Sequence, residues 1–326
     1  NLYGSYWGVW QGAAGRHVLR YRTDGTYDTL AVGLNRPNGM AYRAGHIYVA
    51  NSGTSEVFKI DTNGVRQLVA TVPGATGVAV VPNHPDSLLV SSWGGSRIYG
   101  VGPNGVAIVS SSSLLNGPAG MTYDPAGNLY VGNFNDNRVL KYDGNGAFSI
   151  FATIAGAVSF VTYSDSTLIV ADHQRQKVHI VPMDGSPTVS IGSGTATTTD
   201  GLNQQAAFNV PNGVVATPSG DTIYVSELMG KALRMIVRTS NNLSTSAVAD
   251  HALQVHYNAR QQSIHITQNK GFHSLQVRLF DLTGKLWLDQ AVTGDQLPVQ
   301  VQQGVYLIQL SHKGQVLHQQ KLWIGR

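Results

Sequence analysis

The side chains of this sequence that could serve as general bases are its histidines, and they are scattered. His173 is the most suggestive, because it directly follows Asp172 and a carboxylate can orient a catalytic imidazole. Adjacent residues on a strand point to opposite faces, so the pair instead predicts a surface histidine. The sequence has no Gly-x-Ser-x-Gly elbow, no His-Glu-x-x-His pair, no phosphate-binding glycine loop and no cysteine. It therefore favours a protein that is not an enzyme.

The elements that must position such residues are short β-strands, and the clearest set lies within residues 116–143. Apolar runs at 120–123, 129–131 and 138–142 are separated by turns rich in Asp, Asn, Pro and Gly. Three hairpin-linked strands cannot bury both of their faces alone. Copies of the unit must therefore stack beside it.

The same pattern recurs about every 40 residues, which is the period of a propeller blade. The third strands are centred on Val18, Val57, Ile98, Val139, Val178 and Leu233. These six strands predict an all-β fold, a six-bladed β-propeller over residues 1–242. Residues 1–11 supply either an inner strand of blade one or the outer strand that closes the ring against blade six.

The charge of the chain is small and dispersed. A net charge of +4 with no run of Lys or Arg does not indicate a nucleic-acid partner. No apolar run is long enough to predict a membrane span. Charged residues make up only 12% of the chain while Gly reaches 37 residues, as expected for many tight turns.

One repeat, residues 199–234, carries Asp200-Gly201 and Pro211-Asn212-Gly213, and its second strand ends at Glu227. These features resemble the NHL family of propellers, in which the strand-ending residue is Asp and the third strand carries an Arg, retained here as Arg138. Members of that family bind proteins, peptides or RNA, and some relatives are enzymes. The resemblance therefore implies a fold rather than a function.

The repeats are also similar to those of gluconolactonase and regucalcin propellers, which hold a divalent cation on the ring axis. The residues here at the positions of their ligands are Asn38, Thr76, Ala119, Ser159 and Asn212. Two amides without a carboxylate are a poor site for a hard cation. We therefore predict no cofactor and no catalytic metal, and leave a structural Ca²⁺ elsewhere open.

Propellers usually bind where loops converge at one mouth of the ring. The candidates for such a contact surface are Arg36, Asn38, Trp93, Phe134, His173 and Asn212. For each of them, packing or a solvated loop position is the alternative.

A polar linker at residues 243–252 separates the repeats from a second predicted domain, residues 253–326. Its alternating strands cover residues 253–257, 263–267, 275–281, 285–289, 296–301, 304–312 and 315–324. Short strands with turn signals at this density predict a small Ig-like β-sandwich.

Three motifs lie in this domain: an Asp-x-x-Gly-Lys hairpin, a Gly-Val-Tyr strand and a terminal Lys followed by apolar residues. Their residues are Asp281, Gly284, Lys285, Gly304, Val305, Tyr306 and Lys321. In order and position they resemble the type A C-terminal sorting domain of the type IX secretion system of Bacteroidetes. The resemblance implies an outer-membrane translocon and a shuttle barrel as partners. It also implies a secreted or cell-surface location, with a signal peptide already removed.

Asp-[Ser/Thr] triplets in the repeats resemble the O-glycosylation pattern of the same bacteria. The candidate residues are Thr29, Ser87, Ser166 and Thr222. Three of these triplets sit in turns that lead into second strands, where Asp and Ser or Thr are common for local reasons.

Three hypotheses about function follow. The first is a secreted or cell-surface binding propeller, exported by its C-terminal domain, with an unknown protein, peptide or glycan as ligand. The second is a secreted lyase or lactonase-type hydrolase that acts in the axial cleft. The third is a structural component of a cell-surface assembly.

Overall fold

Each repeat of the sequence forms one antiparallel sheet in the computed structural model of the chain. The structure describes residues 2–8, 14–22, 26–237, 254–267, 274–281, 284–312 and 315–324. Contacts divide the chain into two compact units. One comprises Tyr3–Arg20 and Asp28–Ile236, and the other comprises Asn1–Leu2, Tyr21–Tyr27 and Val237–Arg326. The predicted linker, residues 243–252, lies outside the described residues.

Six sheets in chain order form the blades of a β-propeller, as predicted. The first has β1 (Leu2–Gly8), β2 (Ala14–Tyr21) and β3 (Tyr27–Ala31). The second has β4 (Pro37–Arg43), β5 (His46–Asn51), β6 (Glu56–Ile60) and β7 (Arg66–Thr71). The third has β8 (Ala75–Val80), β9 (Leu88–Ser92), β10 (Arg97–Gly102) and β11 (Gly105–Ser110).

The remaining blades repeat this arrangement. The fourth has β12 (Pro118–Tyr123), β13 (Leu129–Asn133), β14 (Arg138–Tyr142) and β15 (Phe148–Thr153). The fifth has β16 (Val158–Ser164), β17 (Thr167–Asp172), β18 (Lys177–Pro182) and β19 (Val189–Ile191). The sixth has β20 (Pro211–Ala216), β21 (Thr222–Glu227) and β22 (Leu233–Val237), and a 3₁₀ turn at Asn203–Gln205 precedes it.

Apolar side chains hold consecutive blades together. Pairs from neighbouring sheets that share one buried cluster are Val18 and Val49, Val57 and Val90, Leu89 and Val131, Val139 and Val170, and Ile169 and Val225. Burying a side chain of this size stabilises the fold by roughly 1.5–3 kcal/mol. The centres of the predicted third strands, from Val18 to Val178, belong to this core, whereas Leu233 is half-buried.

The inner strands share one irregularity. The pairing register between the first and second strands shifts between Pro37 and Met40 in β4. The same register shift occurs at the equivalent position in β8, β12, β16 and β20. β1 is the innermost strand of the first sheet, which is one of the two roles predicted for the N-terminal residues. It is not part of the sixth sheet.

The second unit contains two sheets that form a β-sandwich. Its strands are β23 (Gln254–Asn258), β24 (Ser263–Thr267), β25 (Leu275–Asp281), β26 (Leu286–Val292), β27 (Gln296–Pro298), β28 (Gly304–His312) and β29 (Gln315–Ile324). One sheet has the order β23-β24-β27 and the other β26-β25-β28-β29. Ile264, Leu279 and Ile308 meet in its core. Among the described residues of the chain, no helix is long and apolar enough to cross a membrane.

Candidate functional site at the propeller mouth

The mouth is the end of the ring where second strands turn into third strands, at residues 52–55, 93–96, 134–137, 173–176 and 228–232. The first residue of each turn is anchored to the entry of the same blade. The backbone N–H of Ser52 donates to the Arg36 carbonyl (3.1 Å), that of Phe134 to Gly117 and that of His173 to Ala157. Equivalent turns therefore place Trp93, Phe134 and His173 at matching positions on three consecutive blades.

These three side chains form a continuous row. The ring centroids of Trp93 and Phe134 lie 6.3 Å apart, and those of Phe134 and His173 lie 5.1 Å apart, both with edge-to-face geometry. Trp93 is 40% exposed. Gly117 permits its approach, because a Cβ at Gly117 would lie 2.9 Å from the indole nitrogen. The structure thus brings together three of the six predicted contact residues, which we call the aromatic row.

Arg36 lies at another part of the mouth. Its guanidinium stacks on the ring of Trp7, 4.8 Å from the centroid, and its backbone has a positive φ of 53°. Such a conformation is uncommon outside glycine. Equivalent entry positions in other blades are Gly74, Gly117 and Val210, which also have positive φ. The entry turn therefore sets the direction of Arg36.

His173 is half-buried rather than a surface histidine. Burial lowers its pKa, and the nearby charge of Asp172 only partly opposes this. Its Nδ1 is buried and has no hydrogen-bond partner among the described residues. Burial therefore favours the neutral form of this imidazole, which lies at the edge of the aromatic row.

The Asp172 carboxylate forms its hydrogen bonds with groups other than the His173 side chain. Its carboxylate accepts hydrogen bonds from the backbone N–H groups of Gln174 and Arg175, and it pairs with His179 Nε2 at 3.1 Å. The second nitrogen of His179 lies 2.8 Å from Ser190 Oγ. This chain of Asp, His and Ser resembles a catalytic triad in composition, but His179 is only 5% exposed and all three residues belong to one sheet. It links neighbouring strands, and sequence reasoning had not paired Asp172 with His179.

Phe160 projects toward the ring axis from β16, where it stands in the place of the glycine of β4, β8, β12 and β20. Its ring lies so close to the opposite blade that a Cβ at Gly39 would be 2.9 Å from Cε1, and a Cβ at Gly120 would be 3.0 Å from Cδ1. Glycines at these positions make room for it. Sequence reasoning missed this feature, although the Phe in the place of Gly is visible in the repeat.

The predicted axial residues do not fit a cation site. The backbone carbonyls of Asn38 and Asn212 accept hydrogen bonds from the Ser5 and Ser159 hydroxyls, and Ala119 offers no side-chain ligand. Within the described part of the chain, no three His, Cys, Asp or Glu residues are grouped so as to hold a metal. With two amides and no carboxylate, the predicted residues are a poor set of ligands for a hard cation.

Most of the predicted sorting residues converge at one end of the β25 sheet. The Asp281 carboxylate accepts hydrogen bonds from Trp287 Nε1 (2.7 Å) and from the Lys285 N–H, and the Lys285 ammonium lies 4.4 Å from the Trp287 ring centroid. Tyr306 packs against Trp287 edge-to-face at 6.3 Å. Trp287 is therefore the centre of the cluster, and its role was not predicted.

The other motif residues define local backbone geometry. Gly284 has a positive φ of 82°, which suits the hairpin turn after Asp281. Gly304 and Val305 pair with Ile324 and Trp323 of β29, and Lys321 pairs with Leu307. Their positions follow directly from strand register.

The proposed glycosylation residues differ in exposure. Thr29 and Ser166 are exposed and Ser87 is half-buried. Thr222 is completely buried. Because a glycan cannot be accommodated in a packed core, the prediction for Thr222 is wrong for the folded chain.

The family of NHL repeats matches residues 115–142. A chain of the nidogen/laminin complex is 14% identical, with 68% of this chain and 86% of that chain covered and a TM-score of 0.56. A gluconolactonase from Xanthomonas campestris is 16% identical, with 68% and 78% covered and a TM-score of 0.54. No curated protein sequence matches the chain.

A protein of unknown function from Bacteroides thetaiotaomicron is 16% identical, with a TM-score of 0.50 and 59% of this chain covered, and the match spans about half (52%) of that protein. At these identities the similarity shows the fold alone. The first unit is a β-propeller, and residues 115–142 match the NHL repeat.

Proposed function

We propose that the propeller is a binding module displayed outside the cell and that it contacts its ligand with the mouth. The observation that carries this proposal is the aromatic row, in which three consecutive blades contribute Trp93, Phe134 and His173. Partly exposed aromatic side chains that cluster at the centre of a surface are typical of binding hot spots. A rigid sheet supports each of them through its anchored turn.

The two alternatives receive less support. An enzyme of the axial cleft would need reactive groups there. The cavity of about 800 Å³ at the end opposite the mouth is lined by residues such as Met40, Val80 and Met121, and no carboxylate is among its lining residues in the described part of the chain. A purely structural role gives no reason for an exposed indole at the mouth. We therefore favour binding over both.

The test is affinity capture from the surface and medium of the producing cell, with the full chain as bait. The variant carries Trp93→Ala and Phe134→Ala. The control is Tyr42→Ala, which removes a 59% exposed aromatic ring at the opposite end of the ring. We expect wild type and control to retain a partner that the double variant loses. Equal capture by all three proteins would overturn the proposal.

We further propose that the C-terminal sandwich is a type IX sorting domain that delivers the propeller to the cell surface. The cluster of Asp281, Lys285, Trp287 and Tyr306 supports this, since the motif residues lie together instead of being dispersed, with Lys285 at its exposed end. β29 is the last strand of its sheet, and an edge strand offers main-chain groups for strand addition by a translocon or shuttle barrel.

Export can be tested in the producing cell by deleting residues 253–326. The truncated propeller should accumulate inside the cell envelope. A full-length Lys285→Gln variant separates recognition from folding, because it changes the exposed end of the cluster and leaves Trp287, which packs against the sandwich core, in place. Normal surface delivery of the truncated chain would refute the sorting role.

A further inference from the structure

Positive charge is concentrated at the mouth. Several cations lie in the mouth turns, in an entry turn or at the start of a third strand. Those without a carboxylate partner among the described residues are Arg36, Arg97, Arg175, Lys177 and Lys231. Among the carboxylates at this end, Glu56 accepts hydrogen bonds from the side chains of Asn51 and Thr54, and four others have a side-chain partner that is basic. Asp136 pairs with Arg138, and Asp172 pairs with His179. Asp200 and Glu227 both pair with Arg234.

The opposite end of the ring has the opposite sign. The turns that join first and second strands there carry Asp86, Asp124, Asp165 and Asp221. At this end the Arg43 guanidinium donates hydrogen bonds to the backbone carbonyls of Val81, His84, Pro85 and Ser87, and Arg20 pairs with Asp28. Since both sets lie on one propeller, the small net charge of the chain includes an excess of unpaired cations at the mouth and a group of aspartates at the opposite end.

We propose that the ligand of the mouth is an acidic polypeptide segment, an inference that rests on the proposed function. Its carboxylates would pair with the mouth cations, for which guanidinium groups such as those of Arg36 and Arg175 have matching geometry. Its apolar side chains would pack on the aromatic row. Charge at the mouth also accelerates the encounter with an acidic partner, and the acidic end repels it.

The shape of the aromatic row favours a peptide over single-stranded nucleic acid. Successive bases require ring faces on which to stack. Here Phe134 lies between Trp93 and His173 with interplanar angles of 76° and 64°, so each ring presents its edge to the next. The result is an uneven apolar ridge that suits branched or aromatic side chains.

The experiment measures binding of short labelled peptides to the full chain by fluorescence anisotropy. The probe alternates Glu with Leu and Tyr. Comparison probes replace Glu by Lys, or Leu and Tyr by Gly, and a single-stranded RNA completes the set. We expect the Glu/Leu/Tyr peptide to bind most tightly, with affinity falling about tenfold or more between about 0.05 and 0.5 M salt.

Substitutions inside and outside the mouth test whether the acidic peptide binds there. Arg36→Gln and Arg175→Gln should each weaken binding of the acidic peptide about two- to fivefold, the range of an exposed ion pair. Lys59→Gln removes the same charge from β6, outside the mouth, and should leave binding unchanged. RNA that binds more tightly than the acidic peptide would overturn the proposal. So would an affinity that these arginines do not influence, or no binding of the acidic peptide.

These results are distinguishable from failure of the proposed function. If the Trp93 and Phe134 variant loses its native partner while the acidic peptide does not bind, the mouth is a binding site for another kind of ligand. If neither ligand depends on the mouth, both proposals fall.

Discussion

Arg234 binds two carboxylates at the entry of blade six, and its replacement by Met should lower the stability of the propeller severely. One guanidinium nitrogen donates to Glu227 Oε1 (2.7 Å) and the other to Asp200 Oδ1 (2.6 Å). The same group donates to the carbonyls of Ala207 and Thr199, and it lies over the Phe208 ring. One side chain thus ties the long polar loop between β19 and β20 to β22.

The size of the effect follows from burial. The Glu227 side chain is 0% exposed, whereas that of Asp200 is 76% exposed. Removing the arginine would leave the Glu227 carboxylate buried with Thr198 as its remaining side-chain donor. Breaking a buried pair in this way costs about 3–5 kcal/mol, while an exposed pair is worth up to about 1 kcal/mol. At about 2–4 °C per kcal/mol for a domain of this size, Tm should fall by about 6–20 °C.

Thermal unfolding followed by circular dichroism provides the assay. Arg138→Met is the matched control, because Arg138 is a third-strand arginine whose partner, Asp136, is partly exposed. Asp200→Asn should cost less than about 1 kcal/mol. If Arg234→Met does not fold, Arg234→Lys keeps the charge without the two-pronged guanidinium contact and should still lose more stability than Arg138→Met. A loss for Arg234→Met no larger than that for Arg138→Met would refute the reasoning.

Three further predictions concern the ring. Ser91→Ala should lower the free energy of unfolding by about 1–3 kcal/mol, because buried Ser91 Oγ accepts from the Gly77 N–H and donates to the Ala119 carbonyl. Phe160→Ala should cost about 1–3 kcal/mol in denaturant titration, less than a fully buried Phe because the ring is half-exposed. His173→Gln should flatten the acid side of the stability profile. In the wild type, burial keeps the folded pKa of His173 below that of the unfolded chain, about 6.5, so stability falls as pH drops below that value.

Each of these predictions has a control in the same fold. Ser226→Ala removes the equivalent hydroxyl from an exposed position on β21 and should cost less than Ser91→Ala. Phe160→Leu keeps an apolar side chain on the axis and should retain most of the stability. His84→Gln makes the same change at an exposed turn. Equal losses within the serine or phenylalanine pair, or parallel pH profiles for wild type and His173→Gln, would contradict the corresponding prediction.

Strand positions were predictable because they depend on local pattern. In the second unit, every predicted strand is present, and the largest differences are at the ends of β26 and β27. Turn residues such as Asp124 and Gly127 act within a few positions of one another, so a single repeat is sufficient to identify them. The placement of Trp93, Phe134 and His173 after second strands was also visible, since their offset within each repeat is the same.

By itself, the sequence determined the number of blades, the order of the strands and the turns that connect them, because these features repeat with a fixed period. Only the tertiary structure decided which distant side chains meet. Phe160 reaches a glycine on the opposite blade, and Asp172 selects His179 across the neighbouring strand instead of the histidine beside it in the chain. The separation of charge between the two ends arises in the same way. Alternate turns point in opposite directions once the strands are antiparallel, so a dispersed set of charges becomes a basic mouth and an acidic end.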